Sequence, residues 1–241
     1  MSLGWNDIKS RYRRTVLGPF WIVLNTMISI GFLGFVYKTI FKMAIGDFLP
    51  FIAAGIIIWN LIFANISESC LAFIQQKYLL QGIPIRPELI IVRLVFRNTI
   101  IFFHNLIVVI IILFIFGYGL NLNFLLAIPG MIFIFILSFS VGIILAYLSA
   151  RFRDLPQMVS SLMGIMFLIT PIIWPKRLLG ENQIIAIINP FTHMITMIRE
   201  PLLGNPVPLL SWIVVIMIAF MMSMLAFVVS RSFRYRLMYW L

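Results

Sequence analysis

From Asn98 to Ala150 the chain runs for 53 residues without an Asp, Glu, Lys or Arg. A helix rises about 1.5 Å per residue and needs about 20 apolar residues to cross about 30 Å of hydrocarbon, so this stretch is long enough for two crossings. Gly117-Tyr118-Gly119-Leu120-Asn121-Leu122-Asn123 breaks it near the middle, where glycine and asparagine favour a turn. Four further charge-free intervals, 15 to 37, 48 to 67, 155 to 175 and 201 to 230, each hold one more. The chain therefore reads as an all-α integral membrane protein with six transmembrane helices at about 19–41, 49–72, 95–117, 124–150, 157–174 and 209–230. Composition agrees: 63% of the residues are hydrophobic and 10% charged, and a soluble globule of this size cannot hide that much apolar side chain.

Lys and Arg number 18 against 7 Asp and Glu, a net charge of +11. On a soluble chain that excess points to nucleic acid, but no basic fold motif accompanies it and no nucleic-acid partner is expected. The positive-inside rule accounts for it instead. With the N-terminus inside, Lys9, Arg11, Arg13, Arg14, Lys77, Arg86, Arg93, Arg97, Arg151, Arg153, Arg231, Arg234 and Arg236 fall on the cytoplasmic side. Only Lys38, Lys42, Lys176, Arg177 and Arg199 fall outside, so both termini are placed in the cytoplasm. The first residues lack the short apolar run and small-residue cleavage site of a removable signal peptide.

The segments between crossings are unequal. The inside segment that follows the second crossing carries Gln75, Gln76, Lys77, Gln81, Arg86 and Glu88 around a Gly82-Ile83-Pro84 turn, and is long enough for a short surface helix. The outside segment 175 to 208 holds Pro175, Pro190, Pro201, Pro206 and Pro208, with apolar pieces at 184–188 and 191–198 too short to span. Such pieces suit a re-entrant or interfacial position, where protein satisfies their backbone. At the N-terminus, Trp5, Ile8 and Tyr12 share one helical face while Lys9, Arg13 and Arg14 lie round the others, the pattern of an amphipathic interfacial helix.

Catalytic signatures are missing. No G-x-x-x-x-G-K-[ST] cradle for ATP phosphates occurs, and the seven acids are scattered over the chain and both sides of the membrane. His104 and His193 show no metal-ligand spacing, and no metal site is expected. A lone Cys70 excludes an intramolecular disulfide and reads as a packing residue. His104 is either a proton relay or, with no intramembrane carboxylate beside it, a neutral histidine bonded to a neighbouring helix. Ser138, Gly142, Ala146 and Ala150 repeat every four residues, a small-residue stripe for close helix packing. Interfacial belts account for most of the aromatic residues, while Trp21, Trp59, Phe63, Trp174 and Phe191 are candidates to line a channel or its exit, since a sugar's apolar face stacks on a ring. Arg151-Phe152-Arg153-Asp154 is either a helix-end charge cap facing anionic headgroups or an ion pair organising a cytoplasmic mouth.

The stretch from Asp7 to Trp21, DIKSRYRRTVLGPFW, resembles the N-terminal signature of the permease subunits of bacterial polysaccharide ABC exporters, the type-2 permeases for O-antigen, capsule and teichoic acid. Arg153-Asp154-Leu155, Thr170-Pro171-Ile172-Ile173-Trp174-Pro175 and Asn189-Pro190-Phe191-Thr192 resemble the same family in the same order. The resemblance implies a homodimer of six-helix subunits in the bacterial inner membrane, bound to two copies of a separate ATPase that carries ATP and Mg, with no cofactor or catalytic residue in this chain. It implies that 73–90, with Gln75, Gln76, Lys77, Gln81, Arg86 and Glu88, is the coupling element, and that 178–203 holds re-entrant helices near the exit. A lipid-linked polysaccharide would then be the cargo, its phosphates attracted by Arg11, Arg13, Arg14, Arg151 and Arg153 with Asp154 at the cytoplasmic mouth. A permease for a drug or small lipid, a proton-coupled carrier and a lipid-linked glycan enzyme are the competing readings.

Overall fold

A computed structural model describes residues 20–41, 45–82, 84–119, 121–176 and 183–241. The amphipathic N-terminal segment, with Arg11, Arg13 and Arg14, lies outside the described residues. Among those described, every regular element is helical: α1 Phe20–Phe41, α2 Ile45–Gln75, α3 Lys77–Gly82, α4 Glu88–Ile115, a 3-10 turn Leu122–Leu126, α5 Ala127–Arg151, α6 Leu155–Ile169, α7 Ile184–Ile188, α8 Pro190–Leu202, α9 Leu209–Phe233 and α10 Leu237–Trp240. Among the described residues four stretches are long and apolar enough to cross a bilayer, Phe48–Gln75, Glu88–Ile115, Leu122–Arg151 and Leu209–Phe233. The apolar parts of two other helices, Val23–Thr39 and Leu155–Ile169, are shorter.

Local chemistry explains where the helices depart from the sequence expectation. The third crossing, expected from 95, starts at Glu88, because Pro87 with φ −55° initiates the helix and the Glu88 carboxylate favours its positive end. The polar segment 73–90 therefore shrinks: Gln75 ends α2, Glu88 opens α4, and the six residues of α3 stand between them. The fifth crossing, expected to reach 174, stops at Ile169. Thr170 precedes Pro171, and the proline ring pushes Thr170 into extended backbone at ψ 135°. The run from 170 to 175 is consequently not α-helical. Gly117 and Gly204 take φ of 76° and 83°, a conformation that a Cβ disfavours, and they turn the chain after α4 and α8.

α2 and α5 form the interior of the bundle. One core gathers Ile52, Ile57, Ile58 and Ile62 of α2 with Ile134 and Leu137 of α5, Ile172, and Ile195 and Ile198 of α8. A second core sits at the end of the bundle where α3 lies, and packs Phe73, Leu80, Ile91, Val95, Ala146, Tyr147 and Leu237. Phe73 and Tyr147 meet edge-on there at 5.1 Å. The outward faces of α1 and α9 stay apolar, with Phe32, Phe35, Phe220 and Phe227 all exposed, as suits surfaces that lipid covers.

Close approach depends on the small residues. Ser138, Ala146 and Ala150 are buried, and a Cβ at Gly142 would lie 2.7 Å from Ser69 Oγ of α2 and 2.9 Å from Ile91 Cγ2 of α4. Gly55 plays the same part at the other end of α2, where its Cβ would lie 2.8 Å from the Ile172 carbonyl oxygen. Backbone cannot yield there as a flexible side chain would. Gly55→Ala is therefore expected to destabilise the detergent-solubilised protein by about 1–3 kcal/mol. Gly31→Ala, with nothing within 4 Å of its Cβ, should leave the melting temperature unchanged or raised.

Candidate functional site

A chain of polar side chains crosses the interface of α2, α4 and α5. Asn98 of α4 donates its amide to Asn65 Oδ1 at 3.0 Å and to Glu68 Oε2 at 2.9 Å, both on α2. Asn65 donates in turn to Ser138 Oγ of α5 at 3.0 Å. Arg97 makes an ion pair with Glu68 through Nη2, and its Nε donates to Asn98 Oδ1 at 3.3 Å. Asn65 and Asn98 are buried, and each buried polar group is costly without a partner and strengthens the next when paired.

Towards α3 the same face of α2 and α4 opens into a half-enclosed cavity of about 540 Å³. Glu68, Gln75 and Gln76 line it from the chain leading into α3, and Arg93 and Arg97 from α4. Their spacing explains the convergence: Arg93 and Arg97 lie one helical turn apart, as do Glu68 and Leu71. The sequence shows that periodicity, but not that the two faces meet.

The residues expected to contact an ATPase divide. Lys77, Gln81 and Arg86 lie on or beside α3, with Gln81 and Arg86 exposed, and their neighbour Tyr78 is 87% exposed. Tyr78 was not among the expected residues, and only its position on a short helix between two spans would have marked it. Gln75 and Gln76 line the cavity. Glu88 faces into the bundle and accepts from Tyr147 Oη of α5 at 3.3 Å and from Ser230 Oγ of α9.

Arg151, Arg153 and Asp154 are all exposed at the corner between α5 and α6. Arg153 Nη2 donates to the Trp240 carbonyl oxygen at 3.0 Å, and Arg151 lies over the Trp240 ring at 5.4 Å. The two arginines therefore tether α10, and neither forms an ion pair with Asp154 among the described residues. Among the aromatic candidates, Trp59 and Phe191 come together with ring centroids 5.6 Å apart, and Phe167 of α6 meets Trp59 at 5.8 Å. Trp59 is buried, whereas Trp21 and Phe63 are exposed on α1 and α2. Trp174 donates its indole N–H to Leu168 O at 3.1 Å, capping the end of α6. His104 donates Nδ1–H to Ile100 O of its own helix at 2.8 Å.

The end of the bundle opposite α3 has its own charged centre. Arg199, counted in the sequence among external loop charges, is 1% exposed on α8. Its guanidinium stacks on Phe51 of α2 at 3.9 Å and donates from Nη1 to the Pro171 carbonyl oxygen at 2.7 Å. Burial pushes its pKa down to about 10, against the opposing pull of Glu200, so it remains a cation at neutral pH. Asn189 donates to Thr170 Oγ1 at 2.8 Å, and His193 accepts from Ser211 and donates to Ile187 O at 2.7 Å. These bonds tie α7, α8 and the end of α6 together. Among the described residues no group of His, Cys, Asp and Glu is arranged to hold a metal.

Long apolar helices, a paired polar chain across their interfaces and lipid-like outer faces define a multi-pass membrane protein. Residues 1–203 match the family model described as ABC-2 type transporter, and the chain belongs to that family. It is 27% identical over 236 residues to the O-antigen export system permease protein RfbA of Klebsiella pneumoniae, covering 95% of this chain and 90% of that protein. The protein of the same name from Myxococcus xanthus is 21% identical over 199 residues, covering 81% of this chain and 76% of its own length.

Two substitutions test these centres. Asn98→Leu takes the partner from Asn65 Oδ1 and from Arg97 Nε and should lower stability by about 1–3 kcal/mol, read as a fall in the melting temperature of the solubilised protein. Arg199→Met leaves the Pro171 carbonyl without its donor, and should cost a similar amount and make the α6–α8 connection more sensitive to limited proteolysis.

Proposed function

We propose that this chain is the membrane-spanning permease subunit of an ATP-driven exporter of lipid-linked polysaccharide, of the O-antigen or capsule class. The observation that carries this reading is the similarity to an O-antigen export permease over 95% of the chain. ATP hydrolysis then belongs to a separate ATPase, present in two copies beside a homodimer of this subunit. α1 and α6 complete six crossings where the bilayer thins locally, since the 15 residues of α6 reach about 22 Å. Both termini face the cytoplasm of a bacterial inner membrane, in agreement with the basic residues gathered at the α3 end.

In this reading α3 is the coupling helix. Its exposed Tyr78, with Lys77, Gln81 and Arg86 around it, presents an aromatic knob within a polar rim, a composition that suits a protein contact. Glu88, bonded to α5 and α9, conveys a push on α3 into the bundle rather than meeting the ATPase itself. α7 and α8 are the re-entrant pieces near the exit, held by Arg199 and His193. Arg151 and Arg153 belong to a basic corner that raises the local concentration of anionic lipid carriers.

Physically, a lipid-linked glycan presents phosphate and a long polar chain, neither of which enters hydrocarbon unaided, so an enclosed path and an external energy source are both required. Tyr78→Ala combined with Arg86→Ala should abolish co-purification of the ATPase and glycan export while the protein remains in the membrane. Retained export with no ATPase bound would instead support a carrier. Arg151→Gln with Arg153→Gln should slow export several-fold, and an unchanged rate would remove the corner from the mechanism.

A further inference from the structure

The cavity between α2 and α4 is built differently from the basic corner. Among the described residues its charged lining is Arg93, Arg97 and Glu68. Glu68 is already engaged, since Arg97 and Asn98 both donate to its Oε2. Arg97 is held at two points, Nη2 on Glu68 and Nε on Asn98, while its Nη1 makes no hydrogen bond among the described residues. Its side chain retains 22% of its accessible surface. The guanidinium plane is thus fixed in advance with one edge still available, the condition under which arginine binds phosphate at least entropic cost.

The rest of the lining fits the same kind of ligand. Gln75 and Gln76 add amide donors, and Leu71, Leu79 and Leu94 supply an apolar wall. Donors beside hydrocarbon, in a cavity at the end of two membrane-long helices, suit a molecule with an anionic head and an apolar tail. A free inorganic anion would leave the apolar wall unused, and a metal cation would meet two guanidinium groups.

We propose that this cavity is an acceptor site for the phosphate of a membrane amphiphile, with Arg97 as the preset donor and Arg93 as the second cation. Two sources share that chemistry, an anionic phospholipid of the surrounding leaflet and the prenyl pyrophosphate end of a lipid-linked glycan. Only the second source rests on the exporter reading. Glu68 has a distinct role: it orients Arg97 but also repels the incoming phosphate, so its carboxylate keeps the site from being held permanently.

The test uses the full chain in phosphatidylcholine nanodiscs, with binding measured for a short fluorescent prenyl pyrophosphate, for fluorescent phosphatidylglycerol and for inorganic pyrophosphate. Arg93→Gln with Arg97→Gln should weaken amphiphile binding by about tenfold or more. Glu68→Gln should strengthen it several-fold, because Asn98 still holds Arg97 while the repelling charge is gone. That opposition of sign is the informative readout, since a pair that merely stabilises the fold would lose binding from either side. Glu68→Gln with Arg97→Gln, a neutral pair that preserves packing, should fold normally and bind weakly. Binding of phosphatidylglycerol but not prenyl pyrophosphate, with the same mutational pattern, upholds the phosphate site and removes the cargo assignment. Equal affinity for inorganic pyrophosphate, equal effects of Arg97→Gln and Glu68→Gln, or binding indifferent to both arginines would overturn the proposal.

Discussion

Polar side chains inside an apolar bundle must find one another, and Asn98 is where this chain meets that demand. Its amide reaches two residues of α2 while its carbonyl oxygen accepts from Arg97, and Asn65 passes the chain of bonds on to α5. Asn65 and Asn98 are buried away from solvent, so their arrangement is set by satisfaction and not by hydrophobic attraction, which cannot tell helix from lipid. The α2–α4 pair is fixed by these bonds together with the glycine contact at Gly142, and α3 is carried on it. The cavity lies between these two helices and depends on that pairing.

The opposite end obeys the same rule with different residues. Pro171 stops α6 early and leaves backbone groups of an irregular segment inside the protein, where each needs a partner. Arg199 supplies one donor, Asn189 engages Thr170, and Gly55 lets the Ile172 carbonyl approach α2. A buried cation is tolerated there because it stacks on Phe51, lies beside Glu200 at 3.7 Å and donates to a carbonyl. The consequence is a rigid connection between the short helices and the end of α6, and in an exporter that connection would make them move together.

Much of this was legible in the sequence. Apolar runs marked the long helices, because the rise per residue and the thickness of hydrocarbon leave few alternatives. The family was legible in short motifs, from Asp7 to Trp21 and again around Thr170 and Asn189. Positions of charges were legible, yet their directions were not. Glu88 and Arg199 both read as loop charges, and both turn inward, because a charge count carries no information about which neighbour a side chain faces. Trp59 and Phe191 were candidates for one path, and they pack on each other, whereas Trp21 and Phe63 stand apart from them.

By itself the sequence determined that the chain is helical and that its long helices belong in lipid, since each follows from local composition and spacing. Only the tertiary structure decided which polar residues meet. Glu68 and Arg97 stand 29 residues apart, and Ser230 and Glu88 stand 142 apart, so no local pattern records their pairing. In a uniformly apolar helix the hydrophobic periodicity that would point a face inward is weak, and a few polar contacts and close glycine approaches select the packing instead.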